Sequence, residues 1–243
     1  MPHGKPDWGI DWSPRKVSGI EDLGEHAVRL RSPHLWDRRG DALYVTDFRE
    51  GLGMFHTDFA GAGAGVQLVT GFSRQGAYAV MLQAGSDDDH FAYLHLAFPF
   101  QVQSAVGLEF SFSVAEWTHA IRAEFVWYDG VNERSALVEY NHVLEDLAYY
   151  HEPAGWTVLD DPVVLHECTR PEHTMKMVAS MVTNRYLRFM LDDQIYTVFD
   201  HPVDEVLDNR PPYWYFVIWH FGVLLHTPPC FVDNVIVTQN EPT

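Results

Sequence analysis

Two glutamates with catalytic potential, Glu124 and Glu139, lie in the strand-like runs IRAEFVWY and ALVEYNH, which a short turn containing YDG separates. Retaining glycosidases need two carboxyl groups about 5 Å apart. Pairing of the runs as a hairpin could bring these glutamates face to face, so they are the candidate catalytic residues. Arg122 and Lys176 would lower carboxylate pKa values, which suits a general acid poorly. A glycoside hydrolase or polysaccharide lyase is therefore kept as an alternative function.

A wider set of polar side chains alternates with apolar ones along the predicted strands. Successive residues of a strand face opposite sides of its sheet, so this alternation predicts one apolar face and one polar face. One interpretation is a solvated outer face whose charges pair across strands. The other is a concave groove that stacks sugar rings on aromatic side chains and binds hydroxyl groups. The predicted ligand-binding residues are Glu109, Arg122, Glu124, Glu139, Asn141, Lys176, Arg188, Trp214 and His220.

The run CFVDNVIVT places Asp233 and Asn234 inside an otherwise apolar strand. Burying an unpaired carboxylate is costly, so Asp233 must have a hydrogen-bond donor, a cation or water beside it. The two residues are expected either to bind backbone amides of the N-terminal segment, joining the first strand to the last, or to hold a cation.

The charge balance limits the partners. The chain of 243 residues carries 34 acidic and 16 basic side chains, a formal net charge of −18. Polyanion binding depends on Lys and Arg neutralising phosphates, so nucleic acid and anionic membrane surfaces are predicted non-partners. Cys168 and Cys230 are too few for a disulfide scaffold and are expected to be reduced apolar fillers. No apolar run of signal-peptide length opens the sequence, so the expected location is cytoplasmic.

From Ala42 onward, short runs of β-branched and aromatic residues recur between turn sequences such as GSDDDH, YDGVNERS, TNR and LDDQ. This spacing predicts an all-β protein, an antiparallel two-sheet sandwich occupying residues 42–243 as one domain. Residues 1–41, with a short candidate strand at 26–30, are expected to form an arm packed on that domain. Only PVDEVLDN could form a short helix.

The aromatic run YWYFVIWHF is bulky on both faces. It is therefore predicted to be covered on both sides, by the core and by either the arm or a second subunit. A homodimer is accordingly one of the predicted arrangements, and a structural role without a sugar site is the second alternative function.

The strand pattern and three stretches, TDFREGLGMF, SRQGAYAVMLQ and KMVASMVTNRYLRFMLDDQIYTV, resemble the concanavalin A-like lectin and glucanase superfamily, with FVDNVIVT as its closing strand. The resemblance covers roughly residues 42–238 and implies a jelly-roll sandwich. It also implies a lectin-like, carbohydrate-binding role, with the ligand on the concave sheet face.

The resemblance has consequences for metal binding and for catalysis. In glucanase-like members, an Asp on the final strand often binds a structural calcium together with main-chain carbonyls. By position, Asp233 and the carbonyl of Gly76 would supply such ligands, and no other cofactor is expected. Those hydrolases also carry an E-I-D-x-E stretch, which this chain lacks, so their catalytic residues cannot be transferred to it.

Overall fold

The protein is described by a computed structural model that covers residues 39–74, 76–99, 103–198 and 201–242. Its regular elements within these ranges are all β-strands. Their bounds are β1 Asp41–Thr46, β2 Phe55–Ala60, β3 Gly65–Thr70, β4 Tyr78–Gln83, β5 Phe91–Pro99, β6 Ala105–Phe112, β7 Ala120–Tyr128, β8 Asn132–Asn141, β9 Asp146–His151, β10 Gly155–Asp160, β11 His173–Ser180, β12 Arg185–Leu191, β13 Gln194–Thr197, β14 Asp204–Leu207, β15 Tyr213–Phe221 and β16 Pro229–Gln239. No helix in these ranges has the length and apolar character needed to cross a membrane.

The strands form two antiparallel sheets of eight strands each. The first sheet has the order β13-β12-β11-β6-β16-β4-β3, and β1 also pairs with β16. The second sheet has the order β10-β9-β8-β7-β15-β5-β2, and β14 also pairs with β8. This confirms the predicted two-sheet antiparallel sandwich.

The core lies between the sheets and follows from the alternation of side chains along each strand. In β6, Leu108 and Phe110 are buried in it, and in β7 Phe125 and Trp127 are buried in it. Large aromatic rings dominate this layer, and each fully buried aromatic or aliphatic side chain contributes about 1.5 to 3 kcal/mol. The core therefore fixes which residues of every strand point outward.

The four predicted turn sequences all connect consecutive strands. In the β7–β8 turn, the Asp129 carboxylate accepts the backbone N–H groups of Val131 and Asn132 at 2.9 and 2.8 Å. In the turns after β11 and β12, Asn184 and Asp192 have φ values of 54° and 51°. Asn and Asp tolerate this left-handed conformation, which is the property from which the turns were predicted.

The prediction of a helix in PVDEVLDN is wrong. Asp204–Leu207 forms β14, which pairs with residues 132–135 of β8. This part of β8 extends beyond β9, whose pairing begins at Leu137, and β14 supplies the missing hydrogen-bond partners. Residues 1–38 of the predicted arm, which include its candidate strand at 26–30, lie outside the described residues.

Strand β16 changes its pairing partner at Asp233 and Asn234. Residues 229–232 pair with β4, whereas residues 235–239 pair with β1. The register with β6 shifts by one residue between Asp233 and Ile236, and Asn234 has φ of 50°. This is a β-bulge, and Asn is one of the few residues that adopt its left-handed conformation readily. The Asp-Asn pair therefore marks the bulge at which β16 passes from β4 to β1.

The carboxylate of Asp233 joins this bulge to the loop between β3 and β4. Asp233 is fully buried, and its Oδ2 accepts the backbone N–H of Arg74 at 2.9 Å. Its Oδ1 accepts the N–H of Asn234 at 2.8 Å. The guanidinium of Arg74 donates to Ser111 on β6 and to Thr174 on β11 at 3.1 and 3.0 Å. Among the described residues, the loop between β3 and β4 supplies a backbone amide to Asp233, whereas the expected donors of the N-terminal segment up to residue 38 lie outside the described residues.

Calcium at Asp233 stays a prediction. The contacts described for Asp233 are with N–H donors, and the positive charge of Arg74 lies close enough to act electrostatically on it. The carbonyl of Gly76 accepts the Ser73 hydroxyl at 3.1 Å. We call the bonding of the Asp233 carboxylate to these backbone N–H groups the amide latch. The described contacts fit this latch better than a calcium site, which takes six to eight oxygen ligands.

A buried charge cluster covers the outer face of the first sheet. Lys176 on β11 lies opposite Glu109 on β6, with 3.7 Å between Nζ and Oε2. Glu241, which follows β16, pairs with Lys176 at 2.7 Å and with Arg188 on β12. The side chains of Lys176 and Glu241 are 1% and 0% exposed. The C-terminal segment thus folds back over this face and neutralises its cations.

Replacing Asp233 with Asn should destabilise the protein. Asn keeps the shape but presents an NH₂ group where one carboxylate oxygen now accepts an N–H, so one backbone donor loses its acceptor. We expect a loss of about 1 to 3 kcal/mol in the free energy of unfolding, measured by urea denaturation. The exposed Asp193→Asn is the matched control and should change stability by less than about 0.5 kcal/mol.

The chelator EGTA separates the latch from a calcium site. The latch predicts an unchanged melting temperature in the presence of EGTA. A fall that added Ca²⁺ reverses, and that added Zn²⁺ does not, would establish a stabilising calcium instead.

Replacing Glu241 with Gln should be more damaging than replacing Asp233. The change leaves Lys176 and Arg188 buried without their shared carboxylate, and breaking a buried ion pair costs about 3 to 5 kcal/mol. Urea denaturation gives the value. The control Arg49→Gln removes a side chain that is 59% exposed and pairs with Asp47, so a loss of no more than about 1 kcal/mol is expected. Equal losses in the two variants would contradict the cluster's role.

Candidate functional site

The outer face of the second sheet carries a continuous patch of aromatic and hydrogen-bonding side chains, which we call the aromatic face. It is built from cross-strand rows on the neighbouring strands β2, β5, β15, β7 and β8. One row consists of Asp58, Tyr93, Trp219, Arg122 and Glu139, in that order. The next consists of His56, His95, Val217, Glu124 and Leu137. The rows above and below add Phe91, Phe221 and Tyr215.

The rings of the aromatic face contact one another and remain partly exposed. The ring centroids of Tyr93 and Trp219 are 4.5 Å apart, and Trp219 lies 5.9 Å from Phe221 with nearly parallel planes. Tyr215 meets His95 edge to face at 4.6 Å. Each of these rings is neither fully buried nor fully exposed. The core covers one side of β15, and its outer side presents half-buried aromatic rings. Cover of that outer side by the arm or by a second subunit stays a prediction.

Arg122 and Glu139 form an ion pair directly across β7 and β8. Arg122 donates from Nε and Nη2 to Glu139 Oε2 at 2.9 and 2.6 Å. The guanidinium also lies over the rings of Phe221 and Trp156, 4.5 and 4.9 Å from their centroids. These contacts hold the guanidinium plane in one orientation, and the pair borders the aromatic face.

Glu124 occupies a different environment from Glu139. Trp219 Nε1 donates to Glu124 Oε2 at 2.7 Å, and the residues described form no ion pair with this carboxylate. Burial raises the pKa of the Glu124 carboxyl, and the Trp219 hydrogen bond and the charge of Arg122 oppose this only in part. The charge of Arg122 thus acts in the expected direction, but desolvation dominates at Glu124 and the net pKa shift of this carboxyl is upward.

The register also corrects the expectation that Glu124 and Glu139 face each other. Glu124 lies opposite Leu137, and Glu139 lies opposite Arg122. The two glutamates are thus diagonal neighbours, which typically lie about 7 to 8 Å apart, farther than directly opposite residues. Since Arg122 already neutralises Glu139, the pair does not form the two-carboxyl arrangement of a retaining glycosidase.

His95 is a second titratable group of the aromatic face, beside Glu124 across Val217. Its Nε2 is buried and has no hydrogen-bond partner among the residues described. Burial and the neighbouring His56 lower the pKa of His95, so the ring is neutral at pH 7. A neutral imidazole with a free nitrogen can accept or donate a hydrogen bond to a ligand.

Val217 lies between His95 and Glu124 and forms the floor of the aromatic face. It is 4% exposed and is paired in register with both residues. Adjacent strands are about 4.8 Å apart, so His95 and Glu124 stand roughly 10 Å apart across the small Val217 side chain. Trp219 and Tyr215 flank the same valine along β15. Val217 thus has polar groups on two sides and aromatic rings on the other two, and we call this arrangement the slot over Val217.

Trp214 and His220 do not belong to this face, so the structure does not bring these two predicted ligand-binding residues together with Arg122, Glu124 and Glu139. Both lie on the core side of β15 together with Phe216 and Ile218, and they are 1% and 0% exposed. Trp214 stacks on Phe98 with 4.4 Å between centroids. Burial lowers the pKa of His220 to about 4, so its ring is a neutral core residue.

Asn141 points outward but closes a turn. It lies at the end of β8, is 8% exposed, and its Oδ1 accepts the backbone N–H of Leu144 at 2.9 Å. This bond fixes the loop between β8 and β9, so the side chain is engaged locally rather than facing a ligand.

Glu109, Lys176 and Arg188 belong to the other sheet. They form the buried charge cluster under Glu241, on the opposite side of the sandwich from the aromatic face. The structure therefore separates them from the aromatic face, and of the nine predicted ligand-binding residues Arg122, Glu124 and Glu139 lie together on that face. Sequence reasoning missed His95, Tyr93, Trp219 and Tyr215, although the alternation in FAYLHLAF and YWYFVIWHF groups them on one face of their strands.

Comparison with known proteins gives no family assignment. No family model matches the chain, and no curated protein matches it.

Solved structures do match, and three of them cover most of the chain. The cellulose-induced protein Cip1 has a TM-score of 0.55 at 12% identity, covering 80% of this chain and 96% of its own. An endo-β-1,4-glucuronan lyase from the fungus Trichoderma reesei has a TM-score of 0.54 at 10% identity, covering 82% and 95%. A carbohydrate esterase from the Shiga toxin-encoding bacteriophage phi24B has a TM-score of 0.50 at 13% identity, covering 83% and 100%. At these identities the similarity shows the fold alone, and the predicted jelly-roll sandwich is confirmed.

Proposed function

We propose that the protein binds carbohydrate on the aromatic face, with the slot over Val217 as its centre. The observation that carries this proposal is the set of half-buried rings of Tyr93, Trp219 and Tyr215 beside the free nitrogen of His95. Sugar rings present apolar C–H faces and polar edges, so they fit aromatic rings flanked by fixed hydrogen-bonding groups.

The electrostatics of the face favour a sugar over a purely structural surface. Arg122 and Glu139 neutralise each other at the border, whereas Glu124 and His95 keep hydrogen-bonding capacity toward the slot. A face whose charges all paired across strands would instead match the alternative of a solvated outer face. Three solved structures with this fold include a glucuronan lyase and a carbohydrate esterase, which supports a polysaccharide as the ligand class.

Cleavage of the bound carbohydrate is the second candidate function, and the opposite pKa shifts at Glu124 and His95 favour it. The pKa of Glu124 is raised and that of His95 is lowered, which are the directions that suit a general acid and a general base, respectively. In this arrangement, Glu124 donates a proton on one side of the slot and His95 accepts one on the other. The assignment of Glu124 and Glu139 as a hydrolase pair is not retained.

Removing the Trp219 side chain should abolish most carbohydrate binding. Trp219→Ala deletes the stacking surface and the N–H that orients Glu124, so we expect affinity to fall at least about tenfold, equivalent to 1.4 kcal/mol. A glycan array of neutral and uronate-containing polysaccharides identifies a ligand, and titration calorimetry with that oligosaccharide measures the change. Trp219→Phe keeps a ring and should retain part of the affinity.

Trp117→Ala is the matched control, because Trp117 is 46% exposed and stacks on His226 away from the aromatic face. It should leave binding unchanged.

The array is combined with assays for released reducing ends and for unsaturated uronate products. Binding without product supports the lectin-like role, and product that disappears in both Glu124→Gln and His95→Asn supports cleavage. The absence of both binding and product would favour the structural role over both carbohydrate functions.

The buried carboxyl of Glu124 should leave a signature in stability against pH. Its folded pKa lies above the unfolded value of about 4.3, so its favourable contribution is present below that pH and is lost as pH rises through the folded pKa. Glu124→Gln removes the cost of the buried charge. We therefore expect the variant to have a higher melting temperature than the wild type at pH 7 and the same melting temperature at pH 4.

The exposed Glu116→Gln serves as the control for this measurement and should show no such pH-dependent difference. The groups that act on Glu124 are Arg122, Trp219 and Glu133, and none of them is changed by either substitution. A Glu124→Gln difference that is the same at both pH values would contradict the raised pKa.

A further inference from the structure

A second cluster with chemical potential lies at the end of the sandwich, on the loop between β10 and β11. The sequence HECTRPEH, residues 166–173, brings His166 and Cys168 beside His173, the first residue of β11. One ligand atom from each of these three side chains lies within 4.8 Å of the other two. The rings of His166 and His173 are 4.4 Å apart. Two imidazoles and a thiol therefore converge on one small volume.

The loop backbone holds the thiol in place. The N–H of Cys168 donates to the carbonyl of Val114 at 2.8 Å, which anchors the loop to the segment that follows β6. Cys168 is partly exposed, whereas Cys230 is buried. The prediction that both cysteines are apolar fillers thus holds for Cys230 alone, since Cys168 faces two histidines instead of the core.

His173 has the outer partner typical of a metal-binding imidazole. Its Nδ1 donates to Asp192 Oδ2 at 2.7 Å, and Asp192 Oδ1 accepts the N–H of Thr174 at 2.8 Å. A carboxylate bound to one ring nitrogen fixes the ring and raises the basicity of the other nitrogen. That other nitrogen, Nε2, lies on the side of His166, where it donates to the His166 carbonyl at 2.8 Å.

The exposure of the cluster is graded. The side chain of His166 is 65% exposed, and that of His173 is 2% exposed. An ion can therefore approach from solvent past the exposed His166 and bind beside the buried imidazole of His173. His166 Nε2 lies 3.1 Å from Glu172 Oε2, which places an additional carboxylate at the entrance.

We propose that His166, Cys168 and His173 bind a zinc ion, or another divalent cation that prefers sulfur and nitrogen ligands. One thiolate and two imidazoles are ligands that Zn²⁺ prefers, whereas Ca²⁺ and Mg²⁺ prefer oxygen. Zn²⁺ is usually four-coordinate, so three protein ligands leave one position for water or an added ligand. Binding replaces the proton on His173 Nε2 and the proton on the Cys168 sulfur, and both protons go to solvent.

The site is separate from the aromatic face, because β11 and β12 belong to the first sheet. Zinc binding and carbohydrate binding can therefore be tested separately.

Zinc titration of the full chain tests the proposal. The metal-free protein is titrated with Zn²⁺ in competition with a chromophoric chelator, and Co²⁺ serves as a spectroscopic probe. We expect one ion per chain and a sulfur-to-cobalt charge-transfer absorption. Cys168→Ser should remove that absorption and weaken Zn²⁺ binding at least about 100-fold, and Asp192→Asn should weaken it by about 10- to 100-fold.

His226→Asn is the matched control, because it removes an imidazole that lies outside the cluster and should leave the affinity for Zn²⁺ unchanged. Wild-type affinity in the Cys168→Ser variant, or loss of binding in the His226→Asn variant, would overturn the proposal.

A second measurement does not depend on the folding of any variant. Saturating Zn²⁺ should protect Cys168 of the wild-type protein from alkylation by iodoacetamide at least about tenfold, with the buried Cys230 as the internal reference. Equal alkylation rates with and without Zn²⁺ would also overturn the proposal.

Discussion

The register of β15 between β5 and β7 is the constraint on which both sides of the second sheet depend. Because side chains alternate, the pairing that places Phe216 and Ile218 in the core also places Val217 and Trp219 outside. A shift of one residue would exchange the two sets, so the large apolar burial of the core holds the aromatic face in position. The packing of the core therefore fixes the geometry of the slot over Val217.

The sequence was sufficient to predict the fold and one part of the site. Strand-length runs, turn residues and alternation predicted two antiparallel sheets, and they placed Arg122, Glu124 and Glu139 on an outward face. Alternation sorts the two faces of each strand, but it does not say which sheet a strand joins. Glu109 and Lys176 have the same local pattern as Arg122 and Glu139, yet they lie on the opposite sheet. Long-range strand order decides that difference, and no local pattern encodes it.

Other differences arose from tertiary effects on single residues. The pKa of Glu124 depends on desolvation by the surrounding rings and on the pairing of Arg122 with Glu139, which neighbouring residues in the sequence do not show. The cysteine count predicts that Cys168 is an apolar filler, because two cysteines are too few for a disulfide scaffold. Its approach to His173 and Asp192 depends on where the β10–β11 loop crosses the end of the sandwich.

The central position of β16 has a consequence for how the chain is made. This strand separates β6 from β4 and β1, and it lies near the C-terminal end of the sequence. During synthesis, residues 41–46 and 105–112 emerge long before their shared partner. Until residues 229–239 leave the ribosome, β6 and β4 keep open edges that can pair with other chains. The nascent protein is therefore exposed to aggregation until β16 arrives, and the acidic net charge of −18 helps to keep such chains apart.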